Sequence, residues 1–293
     1  MGRSLDNADV QSLLVCGEVK LAGTGNGIYK QVGETWTPVL QATNAFIVVE
    51  AHEPHCTQAV AGIWGDYVYE TTDSGTTWQQ KRNGLPDDAR YTYGVTFSSD
   101  GTRVFLATHL LGIYDISNQT GSLQGAWQRR LSLDVSVLRI TANAQGVAAF
   151  VWEDGLYKRN PNETWSRLPD SQQPPADKRR GRALLLHDNG TPWVIGGSDF
   201  FLLNTGAAWV AKGPQLRTND VIEYDNGNRN RLFAAQINGV LRSTDQGVVW
   251  QAMNLGFGSQ PPMVRDLDVL IEDGQPWLYA ATTRGVWRYR LDP

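Results

Sequence analysis

At 293 residues, with 41% hydrophobic and 19% charged positions, the chain has the composition of a soluble globular protein and room for one large all-β domain or two ordinary ones. A formal net charge of -4 excludes the strongly basic footprint of a general nucleic-acid binder, and no run of 18 apolar residues is present to span a membrane. The unusual counts are 30 Gly and 11 Trp, which point to many tight turns and a repeated aromatic residue.

In chain order, Met1 to Asp9 has no apolar h-region and does not read as a signal peptide, so the chain is expected either in the cytoplasm or exported with its signal removed. Arg3 to Val10 reads like Arg129 to Val135, a fourth strand and its connection, and is expected to supply the strand that the last repeat lacks. Cys16 and Cys56 are too few for a disulfide framework; two buried or lightly reactive thiols are favoured over a bridge.

A phrase of Gly, aliphatic and aromatic or long residue then recurs: Gly27-Ile28-Tyr29, Gly112-Ile113-Tyr114, Gly155-Leu156-Tyr157, Gly239-Val240-Leu241 and Gly285-Val286-Trp287. Two weaker copies, Tyr67-Val68-Tyr69 and Phe200-Phe201-Leu202, fill the gaps. The seven copies lie about 43 residues apart, the length of a four-stranded propeller blade.

Upstream of each copy is an apolar strand with small residues, from Leu21-Ala22-Gly23 in the first repeat to Tyr279-Ala280-Ala281 in the last, read as the second strand of a blade. First strands are read at Phe46 to Glu50, Val137 to Thr141, Leu184 to His187 and Val221 to Tyr224. Asp100-Gly101, Asn189-Gly190, Asn226-Gly227 and Asp273-Gly274 supply the positive φ of the hairpins that join first to second strands. His52-Glu53-Pro54-His55-Cys56 holds ligand-type residues, but Pro54 and the spacing fit a hairpin tip and not a helical zinc motif. No metal or cofactor is expected.

After the third strand comes a turn with the pattern [S/T]-x-D-x-G-x-x-W. It is intact at Thr71 to Trp78 and at Ser243 to Trp250, and altered before Trp36, Trp165 and Trp209. A short Asp side chain bonds the amides ahead of it, Gly takes positive φ, and Trp plugs the gap beneath. The third repeat departs most, with a longer turn read from Ser117 to Ala126 before Trp127.

This spacing resembles the Asp-box, or BNR, repeat of the sialidase-like β-propellers, and the resemblance covers nearly the whole chain. It implies an all-β, seven-bladed propeller of four-stranded antiparallel blades, a single domain over residues 1–293, closed by the N-terminal strand. The family includes sialidases, usually six-bladed, with an Arg triad, a Tyr-Glu pair and an Arg-Ile-Pro-like motif. None of these is recognised here. The closer resemblance is to non-catalytic seven-bladed members such as the photosystem II assembly-factor-like and sortilin-like propellers, which implies a protein-binding platform.

In such a meander the second-to-third strand turns and the connections between blades share one face. That face would carry Asn26, Trp64, Asp66, His109, Trp152, Glu153, Asp154, Ser198, Asp199, Gln236, Asn238, Thr283 and Arg284, read either as a ligand or partner site around the channel mouth or as solvated loop tips. Its longest connection holds Lys178, Arg179, Arg180 and Arg182, a docking site for an acidic partner or a solvated run. The expected function is non-enzymatic recognition of a protein or peptide. The alternative is a lectin in which Trp64 and Trp152 stack a sugar, or a glycoside hydrolase using carboxylates among Glu153, Asp154, Asp199 and Asp66.

Overall fold

The computed structural model describes residues 3–42, 47–51, 56–187, 192–212, 216–225, 230–254 and 256–291. They form seven four-stranded antiparallel sheets, each paired in chain order from first to fourth strand. The first strands are Val10–Cys16, Ile47–Ala51, Thr92–Phe97, Val137–Asn143, Gly181–Leu186, Thr218–Asp225 and Val264–Glu272, and they surround a central channel. The seventh blade takes its fourth strand from the other end of the chain: Arg3 pairs with Trp287 and Ser4 with Val286. Ring closure is thus the expected one. The Gly285 amide adds a bond to the Ala8 carbonyl at 2.9 Å.

The second strands are apolar on both faces because each lies between two neighbouring blades. Every core cluster mixes residues of adjacent sheets, as where Val60 and Val68 meet Val95, Leu106 and Trp127. Small residues in these strands answer to the closeness of the neighbour. A Cβ added at Gly196 would come within 2.6 Å of the Thr218 side chain of the next blade.

The repeat Trp residues pack between blades, each toward the preceding one. Trp165 meets Phe105 edge-on at 6.1 Å and Trp250 meets Phe201 at 4.8 Å. Trp36, Trp78, Trp127 and Trp209 pack on the corresponding clusters.

The Asp-centred turns are built as their sequence implies. Asp73 Oδ1 accepts from the amides of Thr76 (3.0 Å) and Thr77 (2.8 Å) and from the Thr71 hydroxyl (2.7 Å), while the Gly75 amide donates to Thr71 Oγ1. Ser74 and Gly75 both take positive φ. Burial opposes the charge of Asp73, but the bonds from Thr77, Thr71 and Thr76 outweigh it and hold the carboxyl down at about 2. Asp245 repeats the geometry with Ser243 (2.7 Å) and the Val249 amide (2.9 Å).

Three expectations need correction or placing. Cys16 and Cys56 are joined in a disulfide across 5.4 Å between Cα atoms, not left as thiols. Cys16 ends the first strand of blade 1 and Cys56 stands just ahead of the second strand of blade 2, so two positions remote in sequence meet because the blades stack side by side. The third blade does not carry a long turn: Ile113–Gln119 and Ser122–Leu131 stay paired down to Gln119 and Ser122, with Thr120 and Gly121 as the tip and Trp127 inside the strand. Phe46, His52 to His55, Asn189-Gly190 and Asn226-Gly227 lie outside the described residues.

Candidate functional site

Each first strand runs inward from the face that carries the second-to-third strand turns, because its opening residues pair with the end of the second strand. In six of the seven blades the register slips there by one residue, at Gln11, Tyr93, Leu138, Arg182, Asn219 and Arg265. A bulge of this kind re-aims a side chain out of the pleat. All six residues line one cavity of about 70 Å³ at the channel mouth, together with Ser12, Val48, Glu50, Arg139, Arg217 and Asp266. Blade 2 pairs without a slip and contributes Val48 and Glu50 directly.

The cavity is cationic on one side. Arg182, Arg217 and Arg265 come from blades 5, 6 and 7, and burial together with the charges of Arg182 and Arg265 pulls the Arg217 guanidinium below its ordinary pKa. Arg217 donates to Asn219 Oδ1 at 2.9 Å, and Arg265 forks onto Asp9 at 2.7 and 2.8 Å. Arg182 is exposed, and no hydrogen bond or ion pair engages it among the described residues. Crowded guanidiniums favour an anion that relieves their repulsion.

Deeper in the channel one guanidinium faces three carboxyl groups. Arg139 Nη2 bonds Asp220 Oδ1 at 2.8 Å, while its Nε is buried without an acceptor. Burial works against the Arg139 charge, but Asp220, Asp266 and Glu50 outweigh it and hold its pKa up. Asp220 also accepts from the Leu267 amide (3.2 Å) and Asp266 from the Leu13 amide (2.8 Å), so two carboxylates tie neighbouring blades together. Burial, then the nearby Asp220 charge, pushes the Asp266 carboxyl well up against the pull of Arg139 and the Leu13 amide. Burial also pushes Glu50 up to about 7, against the pull of Arg139 and with some help from Asp220.

The other side of the mouth is aromatic. Trp64 packs tilted against Tyr91 (5.1 Å), Tyr93 (4.9 Å) and His109 (5.6 Å), and His109 Nδ1 is 2.7 Å from Ser136 Oγ. Tyr93 belongs to both walls, since it also lines the cavity.

The residues expected at the site are divided by this geometry. Arg182 lines the cavity, and Trp64 and His109 pack against Tyr93, which lines it too. Asp66 instead accepts from Tyr69 (2.9 Å) and Gln80 (3.0 Å), and Asp154 from Tyr157 (2.6 Å) and Arg167 (2.9 Å), within their own blades. Burial, followed by these carboxylates, pushes the hydroxyls of Tyr69 and Tyr157 up to about 12. Gln236 is no loop tip: it is buried and donates to Thr218 at 3.1 Å. Asn238 is exposed, its carbonyl accepting from Asn254, and Arg284 donates to the Gln260 carbonyl at 2.8 Å.

The basic run does not act as one patch. Lys178 lies near Asp199 (3.6 Å), Arg179 bonds the Pro174 carbonyl (3.1 Å), and Arg180 pairs with Glu153 (2.8 Å) while covering Trp152 at 5.4 Å. Of the four, Arg182 is the one that enters the channel. Sequence does not single out Arg139, Arg217, Arg265, Glu50, Tyr91 or Tyr93. The available signal is a polar or aromatic residue one position into five of the seven first strands, Gln11, Tyr93, Arg182, Asn219 and Arg265, ahead of the apolar alternation.

No protein-family model and no curated protein matches the chain. Among solved structures, the extracellular domain of a hybrid two-component system from B. thetaiotaomicron superposes with a TM-score of 0.72 at 15% identity over 100% of this chain. A xyloglucanase of Xanthomonas campestris gives 0.68 at 18% identity over 99%. This chain spans 41% and 44% of those two proteins. YCF48 bound to D1 peptide gives 0.69 at 16% identity, covering 99% of this chain and 96% of that one. Likeness at such low identity shows the architecture alone: the chain is a seven-bladed β-propeller.

Proposed function

We propose that the protein is a non-enzymatic, Asp-box-type propeller that binds an acidic peptide segment of a partner protein at the channel mouth. The observation that carries this reading is the convergence of Arg182, Arg217 and Arg265 beside the Trp64, Tyr91, Tyr93 and His109 wall. Guanidiniums receive carboxylates in forked geometry, and half-buried rings offer area to apolar side chains with little loss of conformational freedom. The structural neighbour YCF48, covered over 96% of its chain, is bound to D1 peptide, which agrees with a peptide as the kind of ligand.

A hydrolase is not favoured. Glu153, Asp154, Asp199 and Asp66 are held by Arg180, Arg167, Lys178 and Tyr69 respectively, in three different blades. A lectin built on Trp64 and Trp152 is not favoured either, because Trp64 is packed against three rings and Arg180 lies over Trp152.

The test is fluorescence anisotropy with a fluorescein-labelled peptide that combines Asp, Glu and aromatic residues, against a charge-reversed control peptide. Arg182→Glu and Arg217→Glu should each weaken binding about tenfold or more at low salt. Trp64→Ala should speed release. Equal binding of both peptides, or indifference to both Arg variants, would rule the reading out.

A further inference from the structure

We propose that capture of an acidic ligand at the channel mouth is coupled to uptake of one proton by Glu50 on the channel wall. This rests on the acidic-peptide reading above and specifies how that site is regulated. The cavity that holds Arg182, Arg217 and Arg265 also holds Glu50, Arg139 and Asp266, so the anion and these carboxyl groups share one poorly solvated space.

The groups facing Glu50 come from several blades: Arg139 from blade 4, Asp220 from blade 6, Asp266 from blade 7, the three mouth arginines, and the Tyr93 ring from blade 3. With Asp9 on Arg265, four guanidiniums meet four carboxyl groups. With Asp266 pushed toward its neutral form and the other three carboxyls ionised, the excess of positive charge at the mouth is small.

The carboxyl groups are not equivalent. Asp220 is fixed by Arg139 and the Leu267 amide, Asp266 by the Leu13 amide, and Asp9 by both ends of Arg265. No hydrogen bond or ion pair holds Glu50 among the described residues, although it is set among charges. Asp266 is already pushed well up by burial and the Asp220 charge before any ligand arrives, so Glu50, which lacks donors, is the carboxyl left to change charge near neutrality.

An arriving carboxylate repels ionised Glu50 across the cavity and is drawn to the arginines. Glu50 therefore takes a proton from solvent as the ligand binds, and the mouth gains positive charge. Because burial holds Glu50 up at about 7, the exchange falls at neutral pH. The same linkage makes affinity high below that value and lower above it.

The test is titration calorimetry of the full chain with a peptide of Asp and aromatic residues, whose own side-chain carboxyls stay ionised between about pH 6 and 8.5. Binding at about pH 7 in buffers of different ionisation enthalpy should show uptake of about half a proton, and affinity should fall about tenfold from about pH 6 to 8.5. Glu50→Gln should abolish most of the uptake and hold affinity near its acidic value at every pH. Histidine is the other side chain that commonly changes charge near neutrality, and His109 stands at the same mouth, so His109→Gln is the companion variant. Wild-type binding with no proton uptake and no pH dependence overturns the coupling. So does a pH dependence that survives in Glu50→Gln and disappears in His109→Gln. Absence of binding at every pH removes the acidic-peptide reading itself, and the coupling with it.

Discussion

Replacing Trp165 by Ala removes the indole that fills the gap between blades 3 and 4. The side chain is 9% exposed and meets Phe105 edge-on, in a cluster with Val137, Ile140 and Tyr157. A buried aromatic takes some 150–250 Å² out of water, about 4–6 kcal/mol at roughly 25 cal/mol per Å², and denatured-chain compaction lowers this. The expected loss is about 3–5 kcal/mol, the range found for such truncations. Trp165→Phe separates packing from polarity. The Trp165 Nε1 is buried without an acceptor, whereas that of Trp127 donates to the Lys81 carbonyl at 2.8 Å. Phe at 165 keeps an edge against Phe105 and relieves an unpaired N–H, so its cost should stay within about 1 kcal/mol. Phe at 127 leaves a carbonyl without its donor and should cost about 2 kcal/mol. Urea unfolding followed by far-ultraviolet circular dichroism measures both through the midpoint and slope. If Trp165→Ala unfolds within about 1 kcal/mol of wild type, or if the two Phe variants lose equal stability, the inter-blade plug assignment is wrong.

Glu70 is buried and accepts from Gln58 (2.8 Å), Ser122 (3.1 Å) and the Leu123 amide (2.7 Å), with Lys81 at 3.1 Å; Glu70→Ala should cost about 3–5 kcal/mol in the same assay, and Glu70→Gln less. Reduction of the disulfide, or Cys56→Ser, releases a loop of sequence separation 40 and should cost about 3–4 kcal/mol, read as a lower melting temperature. Asp73 titrates in the folded state at about 2, below its ordinary 3.8, so its stabilisation is complete above about pH 4 and drains away as the pH falls toward 2. Asp73→Asn should lower stability at about pH 7 and flatten the loss of stability across that acid window, as followed by urea midpoints at successive pH values.

Sequence made the framework legible because its signals are local. Gly112 cannot be another residue without its Cβ overlapping the Leu131 carbonyl, and Asp73 and Gly75 define their turn within five residues. Tyr67 shows the limit of such rules, holding the position of the repeat Gly with a φ of 64. What stayed hidden depends on stacking and on departures from the two-residue period. The Cys16–Cys56 pairing needs the separation between blades. Arg265 looks like an ordinary strand-head residue until the slip in register re-aims it, and Arg139 and Arg217 only flank the slips at Leu138 and Asn219. The basic run reads as one patch, yet neighbouring side chains on an irregular connection point to different partners, and Arg182 is the one that reaches the channel.

The slip repeated in six blades separates recognition from folding. Gln11 and Asn219 use their bulged positions to bond the next blade, through the Ile47 amide and the Val264 carbonyl, Leu138 is buried and Tyr93 packs on Trp64, so Arg182 and Arg265 are the adjustable positions that the slips set on a fixed frame. A few substitutions there, such as acidic residues for Arg182 and Arg265, would turn an anion receptor into a cation receptor with the hydrophobic interior untouched. Ligand preference in this architecture is thereby free to drift much faster than the fold that displays it.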